Sequence, residues 1–325
     1  MLKPQKTDFY PFYDPYRNGE VFGYGYKLCI SLLFGSIYAL LQYYSLPDKM
    51  VFFSENCWIL GIIISTSLFA LYVATGVFRD NLVIMKDIEG KHVVATKVVD
   101  DWLTDKRFLL AGFTFAALNT TVGHLLGVPS EFHDATLSLL MVYFGFFLAG
   151  FASGMGLLAI AAVIILYVRF APSLQYSLDA NNSDGNGGIK ELGDSLWFFG
   201  GLIGAVGILV SIHMFGVSWM YMYKPHVQMI FLFWVSLPFI LAVSVVLIPG
   251  LAVRRQVSYY KAYKASQLKK EKVKIYSNYK QFESKEDDAI ISEKKELGEK
   301  LERIQDELEK LKKMRNSHID GKRSD

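Results

Sequence analysis

Six stretches of this chain stay apolar for the length of a bilayer crossing, and the charges gather between and beyond them. The hydrocarbon core of a membrane takes roughly 20 apolar residues in helical form. The longest stretch, Ala135–Phe170, carries no charge between Asp134 and Arg169. The other five cover residues 27–44, 57–77, 108–127, 195–215 and 229–248. The pattern predicts an all-α fold: a six-helix transmembrane bundle with a helical, partly coiled-coil cytosolic tail. The fourth span is too long for one upright crossing, so it must tilt, project from the bilayer or break near Gly154–Gly156. Pro238 sits in mid-span and predicts a kink in the sixth. Gly150-x-x-x-Gly154 and Gly200-x-x-x-Gly204 are small-residue surfaces that let helix backbones approach in lipid. Spans four and five are therefore expected to meet through them.

The segments between spans are read by their punctuation. Residues 1–26 hold Pro4, Pro11 and Pro15 with eight Tyr or Phe. They read as an interfacial segment, with rings at headgroup level, or as a disordered terminus. The connection Arg79–Arg107 is the longest inside the membrane domain, which covers 27–250. Its β-branched run at 91–99 follows a turn-like Glu89-Gly90, and Asp100–Asp105 reads as a short helix entering the third span. After Gly250 no strong breaker occurs until Gly298. Residues 251–280 form a basic stretch with interleaved tyrosines, expected to be helical and drawn to anionic lipid headgroups. Beyond it, Leu297, Leu301, Ile304, Leu308 and Leu311 are spaced as a coiled-coil seam. This seam points to a homo-oligomer or a protein partner at the C-terminal helix, with an intramolecular hairpin as the alternative. The basic helix and seam are placed at 251–316 and a disordered tail at 317–325.

Charge decides orientation. Of the 34 Lys and Arg residues, 20 follow Gly250. The first, third and fifth connections carry one, none and one; the second and fourth carry six and two. Basic residues stay on the cytosolic side. Six spans with both termini in the cytosol, in the cell membrane, satisfy every connection. Cys29 and Cys57 then lie near opposite faces of the membrane, too far apart to be bridged, and read as free thiols. The net charge of +3 conceals this asymmetry, and no nucleic-acid partner is expected.

Candidate chemistry is sparse. Asn182, Asp184, Gly185 and Glu191 have the spacing of positions three, five, six and twelve of a calcium-binding EF-hand loop. Position one falls on Ala180 and position eight on Gly187. A Gly-rich turn capping the fifth span, or an anion-binding nest, fits the same residues. Asp184-Gly-Asn-Gly-Gly-Ile189 also resembles a D-G-x-G-G-[LI] stretch that precedes a membrane helix in uncharacterised prokaryotic multi-pass membrane proteins. That resemblance covers about a dozen residues and implies multi-pass architecture but no activity. His124, His133 and Asp134, with Glu131, His213 and His226, gather zinc-type ligand chemistry at one end of the spans, although no i, i+4 histidine pair links them. Asn119, Thr120 and Thr121 form a polar patch in the third span, either packing glue or the lining of a pathway.

Away from their ends the spans hold no Asp, Glu, Lys or Arg, which argues against coupled transporters and proton pumps. No nucleophile elbow, P-loop or dinucleotide-binding motif is present, so an enzyme has little support. The leading expectation is a self-associating membrane protein, either a channel-like pore or a membrane-anchored assembly or signalling subunit. A small-molecule transporter and a membrane metalloenzyme using the outer histidines are the alternatives.

Overall fold

The computed structural model describes residues 20–89, 97–98, 101–127, 136–176, 178, 189–216, 225–281 and 288–314. Among the described residues the chain is all-helical, with six helices long and apolar enough to cross a membrane. In order, α1 is Glu20–Ser45, the short α2 is Lys49–Ser54 and α3 is Cys57–Glu89. Next come α4, Asp105–Leu125, and α5, Thr136–Phe170. A 3₁₀ turn, Ala171–Tyr176, extends α5. Then follow α6, Lys190–Gly216, and α7, Pro225–Gln281. The last helix, α8, is Asp288–Lys313. The spans are α1, α3, α4, α5, α6 and α7.

Local chemistry explains the helix ends. The carboxylate of Asp48 accepts the Met50 amide at 2.9 Å and caps α2, as short acidic side chains do for unpaired first-turn amides. Thr104 caps α4 in the same way. Between α2 and α3, Asn56 takes the left-handed conformation (φ 50°), which asparagine tolerates better than most residues. Its side-chain amide donates to the Gly216 carbonyl at 2.7 Å. This bond ties the first connection to the end of α6, so both lie at one end of the bundle, the α2 end.

Consecutive spans pair as antiparallel hairpins: α1 with α3, α4 with α5, and α6 with α7. Lipid tails are as apolar as leucine, so close backbone approach and polar links decide pairing, not greasiness. Glycine marks each crossing. A Cβ on Gly35 would strike the Gly61 carbonyl and Ser65; a Cβ on Gly150 would lie 2.8 Å from Ala116 Cα. A Cβ on Gly154 would strike the Ala111 carbonyl, and one on Gly200 would lie 2.8 Å from Val246. The expected meeting of spans four and five is thus corrected. Gly150 and Gly154 seat α4, Gly200 seats α7, and a Cβ on Gly204 would have no neighbour within 4 Å. A short connection holds each helix against the one adjacent in sequence, and the small faces are occupied there.

Two further expectations change, and a third falls mostly outside the described residues. The fourth span does not break near Gly154–Gly156: α5 is continuous for 35 residues, about 52 Å. The second span does not end at Val77 but continues to Glu89. Within the β-branched run at 91–99, Lys97 and Val98 are helical; the rest lies outside the described residues, as do residues 1–19 and 315–325.

The 57-residue α7 crosses as the sixth span and continues as the basic helix. Its extension meets α8, with Leu268, Ile304 and Leu311 buried between them. Lys261 donates to the Met314 carbonyl at 2.6 Å, and Lys272 bonds Gln305 at 2.6 Å. This register runs antiparallel. The face of α8 that holds Leu297, Leu301, Ile304, Leu308 and Leu311 has each of them buried or half-buried. Its partner here is the same chain's basic helix.

Candidate functional site

Two buried clusters occupy the two ends of the bundle. One gathers Tyr38, Phe52, Leu60, Val142, Phe146 and Phe231 at the α2 end. The other gathers Met85, Leu166, Phe170, Leu174, Leu196 and Val257 at the tail end. Between them lies a cavity of about 250 Å³ where the three hairpins meet. Among the described residues every span except α1 contributes to its wall.

The glycine-rich fourth span shapes this space twice over. Gly150 and Gly154 bring α4 close, while Ala149, Ala152, Ser153 and Gly156 on a neighbouring face line the cavity. A Cβ on Gly156 would meet nothing within 4 Å. Small side chains on that face leave room that leucine or phenylalanine would fill. Aromatic side chains close the rest: Phe78, Phe108, Phe115, Phe146, Phe199 and Trp234. Phe115 and Trp234 stack at 5.3 Å between centroids.

The polar lining is concentrated toward the α2 end. Asn119 sits there with both halves of its amide engaged. Its Nδ2 donates to the Phe146 carbonyl at 2.6 Å, and its Oδ1 accepts from Trp234 Nε1 at 3.2 Å. One side chain thus joins α4, α5 and α7. Thr120 and Thr121 bond back to Ala116 and Ala117 in their own helix, the usual way a hydroxyl is satisfied in lipid. The predicted patch therefore divides: Asn119 lines the cavity, and the threonines do not.

His213 lies on the same wall, one turn from the end of α6. It is 3% exposed, and neither ring nitrogen has a hydrogen-bond partner among the described residues. The Asn56 backbone lies beside the ring without making a bond of good geometry. Phe146 packs against the ring at 6.3 Å. Ser67 on α3 is a second cavity-lining residue, and its hydroxyl is buried without a partner among the described residues. Buried polar atoms are almost always paired, so two such groups on residues that line one cavity are unusual.

The other expected site residues are dispersed or fall outside the described residues. His124 is exposed, and its Nδ1 lies 2.7 Å from the Tyr143 hydroxyl. Its proposed partners His133 and Asp134 lie outside the described residues, as do Asn182 and Asp184 of the calcium-like loop. Glu191 is exposed in the first turn of α6. Among the described residues no three His, Cys, Asp or Glu side chains are grouped as metal ligands. Cys57 is buried and Cys29 exposed.

A polar network at the tail end escaped the sequence reading. Asn81, 2% exposed, donates to the Tyr167 hydroxyl at 3.2 Å and accepts from Ser195 at 2.8 Å. The Tyr167 hydroxyl in turn donates to the Leu192 carbonyl at 2.9 Å. These contacts join α3, α5 and α6. The available signal was Asn81 itself, a lone amide before the apolar run Leu82–Met85.

No family model matches the chain, and neither a curated protein nor a solved structure is significantly similar to it.

Proposed function

We propose that this integral membrane protein binds a small uncharged molecule inside the bilayer, as a carrier or receptor of apolar compounds does. The cavity supports this reading. It lies within a single chain, five spans build it, and among the described residues no Asp, Glu, Lys or Arg lines it. A charged ligand would lose hydration there without an opposing charge, whereas a neutral one would not. Of the roles expected from sequence, this is nearest to the small-molecule transporter. The orientation proposed with it places both termini and the 79–107 and 171–193 connections in the cytosol, from the Lys and Arg distribution. The basic part of α7 would then lie on the anionic leaflet side.

The test is to purify wild type and Gly156→Leu from the same membranes and identify co-purifying small molecules by mass spectrometry. Gly156→Leu directs a side chain into the cavity from a position with no neighbour to strike. A neutral compound carried by wild type and absent from the variant is expected. Identical extracts would refute the reading.

A further inference from the structure

The cavity is not uniform along its length, and its asymmetry describes a ligand. His213, Asn119, Trp234, Ser67 and Ser153 place most of the polar lining toward the α2 end and the middle. Toward the tail end the wall is Phe78, Phe108, Val163, Phe199 and Val245, with the Thr75 hydroxyl already bonded to the Leu71 carbonyl at 2.7 Å. The amide of Asn119 is also committed to Phe146 and Trp234. Among the described lining residues, His213 and Ser67 are the ones with polar atoms buried without a partner, and the half-buried Ser153 adds a hydroxyl on α5. A neutral imidazole offers one donor and one acceptor, and a hydroxyl can answer either.

Size and wall chemistry narrow the class further. A cavity of about 150 Å³ lined by apolar side chains takes up benzene. By proportion, about 250 Å³ suits roughly ten non-hydrogen atoms. Six aromatic side chains in the wall offer edges and faces to a flat ring, the arrangement aromatic pairs favour.

Resting on the reading above that a neutral molecule occupies this space, we infer that the ligand is an aromatic alcohol of one or two fused rings. Its hydroxyl hydrogen-bonds His213 at the α2 end, and its rings lie among Phe115, Phe146 and Trp234. His213 is the specificity-determining residue: the aromatic walls hold any ring of this size, and the imidazole selects those with a head group.

The experiment measures binding of 2-naphthol and naphthalene to protein in nanodiscs, subtracting uptake by protein-free discs. Wild type should bind 2-naphthol about tenfold tighter than naphthalene, the discrimination of one well-formed hydrogen bond in a buried site. His213→Leu should bring the ratio near one while leaving naphthalene affinity within about twofold to threefold. His213→Gln, which keeps a donor and an acceptor, should restore part of the preference and guards against a folding defect in the leucine variant. Gly156→Leu should bind neither compound. Equal affinity of wild type for the two probes, or a preference that survives His213→Leu, overturns the role of His213 and leaves the cavity reading standing. Failure of wild type to bind either probe saturably overturns both.

Discussion

Leucine at Gly154 and leucine at Gly156 should move stability in opposite directions, although the two positions are neighbours on one helix. The cause is what each added side chain meets. At Gly154 a Cβ would strike the Ala111 carbonyl and lie 2.6 Å from Phe115 Cβ. Ordinary contact is nearer 3.5–4 Å, so α4 must retreat by about 1 Å along the crossing that positions it. Overpacking of this kind costs about 1–3 kcal/mol. Removing glycine from a helix interior returns about 0.5–1 kcal/mol, leaving a net loss of roughly 1–2 kcal/mol. At Gly156 the first term is absent, because nothing lies within 4 Å of the new Cβ. The helix gain remains. Each new carbon contact adds about 0.1–0.2 kcal/mol, and ordering the leucine side chain costs about 0.5–1 kcal/mol. A net gain of roughly 1 kcal/mol is expected. In a chain of this size each kcal/mol moves the melting midpoint by about 2–4 °C. Thermal unfolding in matched nanodiscs, at one scan rate, should therefore place Gly154→Leu about 2–8 °C below wild type and Gly156→Leu a few degrees above it. A shift of the same sign in both, or an unchanged midpoint for Gly154→Leu, would refute the assignment of one face to α4 and the other to the cavity.

Asn81→Leu removes a side chain that both donates to Tyr167 and accepts from Ser195; unfolding in nanodiscs should show a loss of about 1–2 kcal/mol, larger than for Ser195→Ala, since Ser195 can still bond the Glu191 carbonyl in its own helix. Single-cysteine labelling at position 190, in a background lacking Cys29 and Cys57, should require permeabilised cells; labelling from outside intact cells would reverse the proposed orientation. Spin labels at Lys264 and Lys312 should report a close pair in wild type and a broadened, longer distance after Leu301→Lys with Leu308→Lys, because Leu308 packs against the cluster shared with the basic helix and Leu301 is half-buried one turn from Ile304 of that cluster; a fall in oligomer mass by light scattering instead would return the seam to self-association. The Glu296 carboxylate accepts from Lys300 at 2.6 Å, and that bond holds its pKa below the ordinary 4.5. A depressed folded-state pKa gives stabilisation that is present above the unfolded value and lost as pH falls through the folded one. Helicity lost in Glu296→Gln at neutral pH should therefore vanish below the folded-state pKa, and a deficit that persists there would assign it to propensity.

The six spans were legible in the sequence because a bilayer imposes one length and one chemistry on any helix that crosses it. The face of α8 was legible for the opposite reason. In water, the contrast between Leu297, Leu301, Ile304, Leu308 and Leu311 and their charged neighbours specifies one side of a helix. Inside the membrane that contrast disappears. Lipid and protein interior are equally apolar, so α5 is hydrophobic all round and hydropathy does not say which side turns inward. The Gly150-x-x-x-Gly154 spacing announced a close approach but not its partner; the short connection to α4 decided that. Asn119 was visible as a polar residue at depth, yet its engagement with Phe146 and Trp234 depends on three helices meeting. His213 read as one more histidine near a helix end, and Asn81 drew no notice in a connecting segment. Whether a buried polar group is paired, or left facing a cavity, depends on its neighbours in space, and those are set only when the hairpins assemble.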